Sequence, residues 1–122
     1  MSSSSSSRID LIKHLFQIID AQDWLAIRQV FAEQIVYDRP GYPRMIGIER
    51  VLYFYQHERV LRSGKHSLDH ILVDNDRGSC WGWFVGHKKD GTPVEISFAD
   101  AYDFDEPGRI RLRRSFFFQP AV

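Results

Sequence analysis

Most of the features that would commit a chain to a well-marked chemistry are missing here. There is one cysteine, Cys80, in 122 residues. That excludes an internal disulfide and any CxxC zinc pattern, and it fits a reducing cytoplasm. Lys+Arg and Asp+Glu number 16 each, for a formal net charge of zero. No basic field therefore exists to hold nucleic acid or an anionic membrane. No apolar run approaches the roughly 20 residues of a membrane span. Met1 and the serines to Ser7 lack a basic stretch leading into an apolar one, so they do not read as a signal peptide. Phosphate loops, dinucleotide fingerprints and metal-ligand clusters are also lacking, so no cofactor and no metal are expected.

What remains is a chain with 43% hydrophobic and 14% aromatic residues, enough for one domain with one core. Residues 1–7 are expected as a disordered serine-rich leader, and residues 8–122 as a single domain. Ser7 can cap a helix in which Ile9, Ile12, Phe16 and Ile19 recur at helical spacing, widened by Leu11 and Leu15. Asp23 can cap a short second helix carrying Trp24, Ile27, Val30 and Phe31. Ile35 to Asp38 reads as a short strand ended by Pro40, Gly41 and Pro43. Gly47 to Arg62 reads as a third helix with Ile48, Val51, Leu52 and Tyr55 on one stripe, closed by Gly64.

The pattern then changes to strands: His66 to Val73, Ser79 to His87, Pro93 to Phe104 and Arg109 to Phe118. Asp74 to Gly78 and Lys89-Asp90-Gly91 form the turns between the first three. Helices followed by a meander predict α+β with segregated layers. The expected form is a cone-shaped curved antiparallel sheet with three N-terminal helices packed on its concave face. Its open mouth would make an apolar pocket.

Within Pro93 to Phe104, successive side chains alternate between faces. Ile96, Phe98, Asp100, Tyr102 and Phe104 share one, so Asp100 is a carboxylate among aromatics. It must pair, accept strong hydrogen bonds or keep its proton, and such acids often carry chemistry. The bland alternative is a buried structural acid.

The element order, together with Phe31-Ala32, Val36-Tyr37-Asp38, Gly41, Arg44, Gly47 and Phe54-Tyr55, resembles the ketosteroid isomerase and SnoaL-like branch of the nuclear transport factor two-like superfamily. The resemblance implies a small enzyme performing acid–base chemistry on a hydrophobic oxygenated small molecule, by isomerisation, cyclisation or dehydration. It places Asp38 at the general base, Asp100 at a neutral donor to an enolate oxygen, and Tyr55 behind that donor. It also implies a homodimer through the convex sheet face, where Trp81, Trp83 and Val85 form an aromatic strand face; the alternative place for the same three is the pocket lining. The usual first-helix tyrosine is replaced by Leu15 and Phe16, leaving Tyr53, Tyr55, Tyr102 or His66 to supply a second donor. A non-catalytic ligand-binding or assembly module of the same fold is the competing reading.

Other side chains complete the candidate set. His66 and His70 lie four apart on an expected strand, about 13 Å along it, which is too far for one zinc ion. His66, nearer the mouth, is the candidate acid–base group. Arg114 shares strand parity with Leu112 and Phe116, so it is expected to face inward and to rival the donor role by pairing with Asp100. Phe16, Tyr53, Phe98, Tyr102, Arg114 and Phe116 are the expected substrate-binding set. Arg109, Arg111 and Arg113 are expected on one strand face, paired with Glu95 and Asp103. The apolar end from Phe116 to Val122 is expected to pack into a dimer seam or over the pocket mouth.

Overall fold

A computed structural model describes residues 2–119; the expected contacts of residues 120–122 lie outside that range. Helix α1, Ser2–Ala21, buries Ile12, Leu15, Phe16, Ile18 and Ile19. These are the 3.6-period stripe that the sequence shows. The helix starts before the expected Ser7 cap and takes in serines expected as a disordered leader. Propagating an existing helix costs far less than nucleating one. The expected second helix is a 3₁₀ turn, Trp24–Gln29. Phe31 already opens strand β1, Phe31–Asp38.

After the two-residue strand β2, Met45–Ile46, the expected third helix is short. It comprises α2, Ile48–Tyr53, and a π-helical turn, Phe54–Glu58. The long strands are β3 Leu61–Asp74, β4 Arg77–Lys88, β5 Pro93–Phe104 and β6 Ile110–Phe117. Gly64 is therefore not a helix cap but a residue of β3. A Cβ there would lie 2.2 Å from the Phe84 ring, so close packing, not turn geometry, selects glycine.

The sheet order is β2-β1-β6-β5-β4-β3. It is not wholly antiparallel, because β1 pairs with β6 in parallel. A parallel pair needs a long connection, which the chain from β2 through β5 supplies. Register shifts interrupt the β1–β6, β3–β4 and β5–β6 ladders, and such bulges bend a sheet. The helical segments pack on one face, and the core there includes Phe16, Tyr37, Phe54, Phe84, Phe98, Tyr102 and Phe104. On the other face Trp81, Trp83 and Val85 are 41%, 41% and 45% exposed. Among the described residues no helix is long and apolar enough to cross a membrane.

Candidate active site

Strand β5 sends Asp100 into the core, where it is 2% exposed. The neighbouring strand β6 sets Ser115 opposite Asp100 and Arg113 opposite Tyr102. Asp100 accepts from Arg113 Nε at 3.0 Å, from Tyr102 Oη at 2.8 Å and from Ser115 Oγ at 2.7 Å. Since the single proton of Ser115 is spent there, Tyr37 donates to Ser115 Oγ (3.0 Å) and in turn accepts from Arg39 Nη1 (2.8 Å). Burial alone would lower the Arg113 guanidinium, but the adjacent Asp100 charge, together with Tyr37, Tyr55 and Tyr102, more than reverses this and holds it well above its usual value. Burial, reinforced by Asp100, pushes the Cys80 thiol up to about 12 and keeps the Tyr102 phenol protonated.

This bonding overturns two expectations. Asp100 has the contacts of an acceptor carboxylate, not of a neutral acid offering a proton. Its cation is Arg113, not Arg114. Between Asp103 and Phe104 the β5–β6 register slips, and a one-residue slip reverses which side chains face inward. Arg113, Ser115 and Phe117 turn in, while Arg114 and Phe116 turn out. Of the arginine stripe, Arg111 approaches Asp103 at 3.6 Å as expected, but Arg113 does not belong to it.

Asp38 sits apart from Asp100. Tyr37 takes the inward position of β1, so Asp38 points to the other face. Its oxygens accept from Arg44 at 2.8 Å and 2.8 Å and from Arg114 at 3.2 Å and 3.2 Å. The Arg44 hydrogen bonds are the main cause of a lowered carboxyl pKa, opposed by slight burial and aided by Arg114. A carboxylate clamped by two guanidinium groups makes a poor base, and the structure does not bring it to the same ligand as Asp100.

His66 is inside the cone instead. Its ring touches Phe16, Phe84 and Phe98, with centroids 4.8, 4.7 and 5.3 Å away. Nδ1 lies 2.5 Å from Asp20 Oδ1, and the His66 backbone N–H donates to Asp20 Oδ2 at 2.9 Å. A carboxylate only accepts, so Nδ1 carries the hydrogen and Nε2 keeps its lone pair. Burial lowers the imidazole pKa, although Asp20 pulls it up. His70 faces the other way, its ring 4.6 Å from Trp81, because the register slips between Leu68 and His70. Among the described residues no His, Cys, Asp and Glu side chains gather as a metal site requires.

The π-helical turn, a device frequent at functional sites, aims Tyr55 inward. Its oxygen accepts from Arg113 Nη1 at 2.7 Å, and its ring stacks on Trp24 at 4.8 Å. No acceptor for the Tyr55 proton lies among the described residues. Burial, partly offset by Arg113, raises the phenol pKa, so the O–H stays intact. Phe16, Phe98 and Tyr102 are buried as expected, whereas Tyr53 and Phe116 are 53% and 50% exposed and cannot touch a ligand in the cone.

Tyr55, His66, Phe98, Asp100 and Arg113 line one inner chamber of about 20 Å³, room for a single water. Outside it lies a cleft of about 890 Å³, bordered by Tyr42, Glu58, Val60, Lys88 and Lys89. Arg59 and Phe117 belong to both walls and divide the two spaces. Sequence reasoning missed Asp20, Arg59, Arg113 and Ser115 as site residues. Asp20 had a legible signal, an acid facing inward beside Phe16 and Ile19 on the α1 stripe. The β6 pair had none, since a bulge hides their parity.

Comparison with known proteins agrees with this architecture. The profile of the SnoaL-like domain matches residues 12–113. The chain is similar in structure to a candidate SnoaL-like polyketide cyclase from Jannaschia sp. CCS1, with 14% identity, 93% of this chain and 87% of that one covered, and a TM-score of 0.82. An LEH-like epoxide hydrolase of M. tuberculosis is similar at 16% identity, covering 93% and 84%, with a TM-score of 0.79. A protein of ketosteroid isomerase-like fold from Catenulispora acidiphila DSM 44928 is similar at 14% identity, covering 87% and 83%, with a TM-score of 0.76. Identities this low establish the fold alone. No curated protein matches the sequence.

Proposed function

The chain belongs to the SnoaL-like domain family, and from that premise we propose that it is a cofactor-independent acid–base enzyme acting on a hydrophobic carbonyl compound. One observation carries the reading. His66, with Nδ1 fixed by Asp20, and Tyr55, with its O–H uncommitted, line the same chamber. His66 Nε2 removes a proton next to the carbonyl, and Tyr55 donates to the oxygen that becomes negative. The hydrogen bond from Arg113 to the Tyr55 oxygen polarises that O–H and makes it a better donor. The same proton returned at another carbon gives isomerisation; given instead to a β-hydroxyl as its C–O bond breaks, it lets water leave and gives dehydration.

Asp100 then acts as a positioning residue. It holds Arg113, and Arg113 holds Tyr55. Asp38 ties β1 and β6 to the intervening loop and takes no part in proton transfer. The ligand enters from the outer cleft and displaces the Phe117 ring, since a chamber of about 20 Å³ admits no substrate unaltered. The exposed Trp81, Trp83 and Val85 face suits a homodimer seam, because an apolar strand face of this kind needs cover.

The test is hydrogen–deuterium exchange at the α-carbons of 2-tetralone, a flat apolar ketone, followed by proton NMR in D₂O. The protein should accelerate exchange, and His66→Gln or Tyr55→Phe should each remove on the order of 10² of that acceleration. Exchange at the buffer rate in the presence of the unaltered protein would sink the enzymatic reading. The second reading, a ligand-binding module, is favoured by the small chamber beside a cleft of about 890 Å³. It predicts binding of such ketones with no exchange.

A further inference from the structure

Arg59 is out of place among the charges of the cone. It follows the π-helical turn and is 5% exposed. Its Nε is buried with no hydrogen-bond partner, and its side chain makes no ion pair or hydrogen bond among the described residues. The guanidinium lies over the rings of Trp24 at 5.5 Å and Tyr55 at 5.8 Å. Those faces attract it and hold it flat, but they do not neutralise it. Burial lowers its pKa, yet an arginine keeps its proton in proteins. The Asp20 charge favours it, but Asp20 is engaged by His66 and makes no ion pair with Arg59, and a buried cation with no counter-ion in contact is costly and calls for an anion.

Two neighbouring ionic groups already have partners of opposite charge. Arg113 is balanced by Asp100 at 3.0 Å. In the outer cleft Glu58 is held by Arg50 at 2.6 Å. Asp90 accepts the Thr92 backbone N–H at 2.9 Å. Lys88 and Lys89 stand on the same cleft wall and add positive potential at the entrance. The rest of that wall includes Pro40, Tyr42, Val60 and Phe117, which suits an apolar body.

We propose that Arg59 anchors an anion-binding subsite where cleft meets chamber, and that the natural ligand is a flat apolar molecule bearing a carboxylate. The proposal rests on the reading that the cone takes a small molecule, and it holds for enzyme and binding module alike. The carboxylate pairs with Arg59 in the cleft while the apolar body reaches past Phe117 towards Tyr55 and His66. Bidentate pairing of carboxylate with guanidinium gives such a ligand one orientation.

Calorimetric titration with 2-naphthoate and with its neutral isostere 2-naphthamide tests this on the intact chain. The unaltered protein should bind 2-naphthoate at least tenfold more tightly. Arg59→Met keeps the stem over Trp24 and should remove that preference while leaving 2-naphthamide affinity within threefold. A Lys88→Met/Lys89→Met double variant should weaken 2-naphthoate by less than threefold. Equal affinity for the two ligands, no binding of either, or a preference surviving in Arg59→Met would overturn the proposal. So would a tenfold loss in the lysine variant, which needs no change at the buried site. Binding of 2-naphthoate with no exchange of 2-tetralone defeats the enzymatic reading alone. Exchange together with equal binding of the two naphthalenes defeats the anion subsite alone.

Discussion

Replacing Asp100 by Asn removes one charge from the core and keeps the side chain's shape. The partner left behind, Arg113, is 3% exposed and would face the Tyr55 hydroxyl and the Tyr37 ring with no carboxylate. The amide nitrogen of the new Asn must also meet a donor, Ser115 Oγ if it takes the Oδ1 place or both Tyr102 Oη and Arg113 Nε if it takes the Oδ2 place. Breaking a buried pair from one side costs about 3–5 kcal/mol. That is a large share of the roughly 5–15 kcal/mol by which a domain is stable. With a urea dependence of about 1–3 kcal/mol per molar, the unfolding midpoint should fall by about 1–5 M. Protein concentration must be held constant, since association would add to stability. Asp100→Leu with Arg113→Met exchanges the pair for apolar groups and should recover most of the loss, because removing both charges is often neutral. A loss below about 1 kcal/mol in Asp100→Asn would refute the claim that this pair organises the site.

Other consequences follow from single contacts. Burial holds the His66 pKa below the ordinary 6.5, so the unfolded chain takes up a proton before the folded one. Stability should be full above about pH 6.5 and fall as the pH drops towards the folded value, by up to about 1.4 kcal/mol per unit; urea midpoints from pH 7.5 to 5 should show this, and His66→Gln should flatten it. Gly64→Ala should cost about 1–3 kcal/mol, because its Cβ would meet Phe84 at 2.2 Å and the Val85 carbonyl oxygen at 2.8 Å; an unchanged melting temperature would contradict that packing. Trp83→Asp should turn a dimer into a monomer by light scattering if the exposed Trp81, Trp83 and Val85 face is a seam, and a monomeric unaltered protein would rule the seam out.

The long-range plan of this protein is written plainly in its sequence, and its site is not. Pro93 to Phe104 alternates without interruption, so strand and inward face both emerge from period two. Trp81, Trp83 and Val85 share a face for the same reason, though parity does not say which face it is. In β6 parity fails. The slip beside Phe104 moves Arg113 inward and Arg114 outward, and nothing in Ile-Arg-Leu-Arg-Arg-Ser announces a bulge. Asp38 holds the position that the resemblance assigns to a base, but Arg44 and Arg114 claim it, and such pairing depends on side chains far apart in the chain. The third helix stops early because the chain leaves the π-helical turn extended at Arg59 and enters β3 at Leu61, with Tyr55 packed against the distant Trp24.

The central claim is that His66 in the closed cone moves a proton. The pH dependence of 2-tetralone exchange, measured beside the NMR titration of the His66 ring, tests it most directly. The account predicts an acidic limb whose midpoint matches the His66 titration and lies below 6.5, absent in His66→Gln. A rate that ignores the His66 titration, or that persists in His66→Gln, would contradict it.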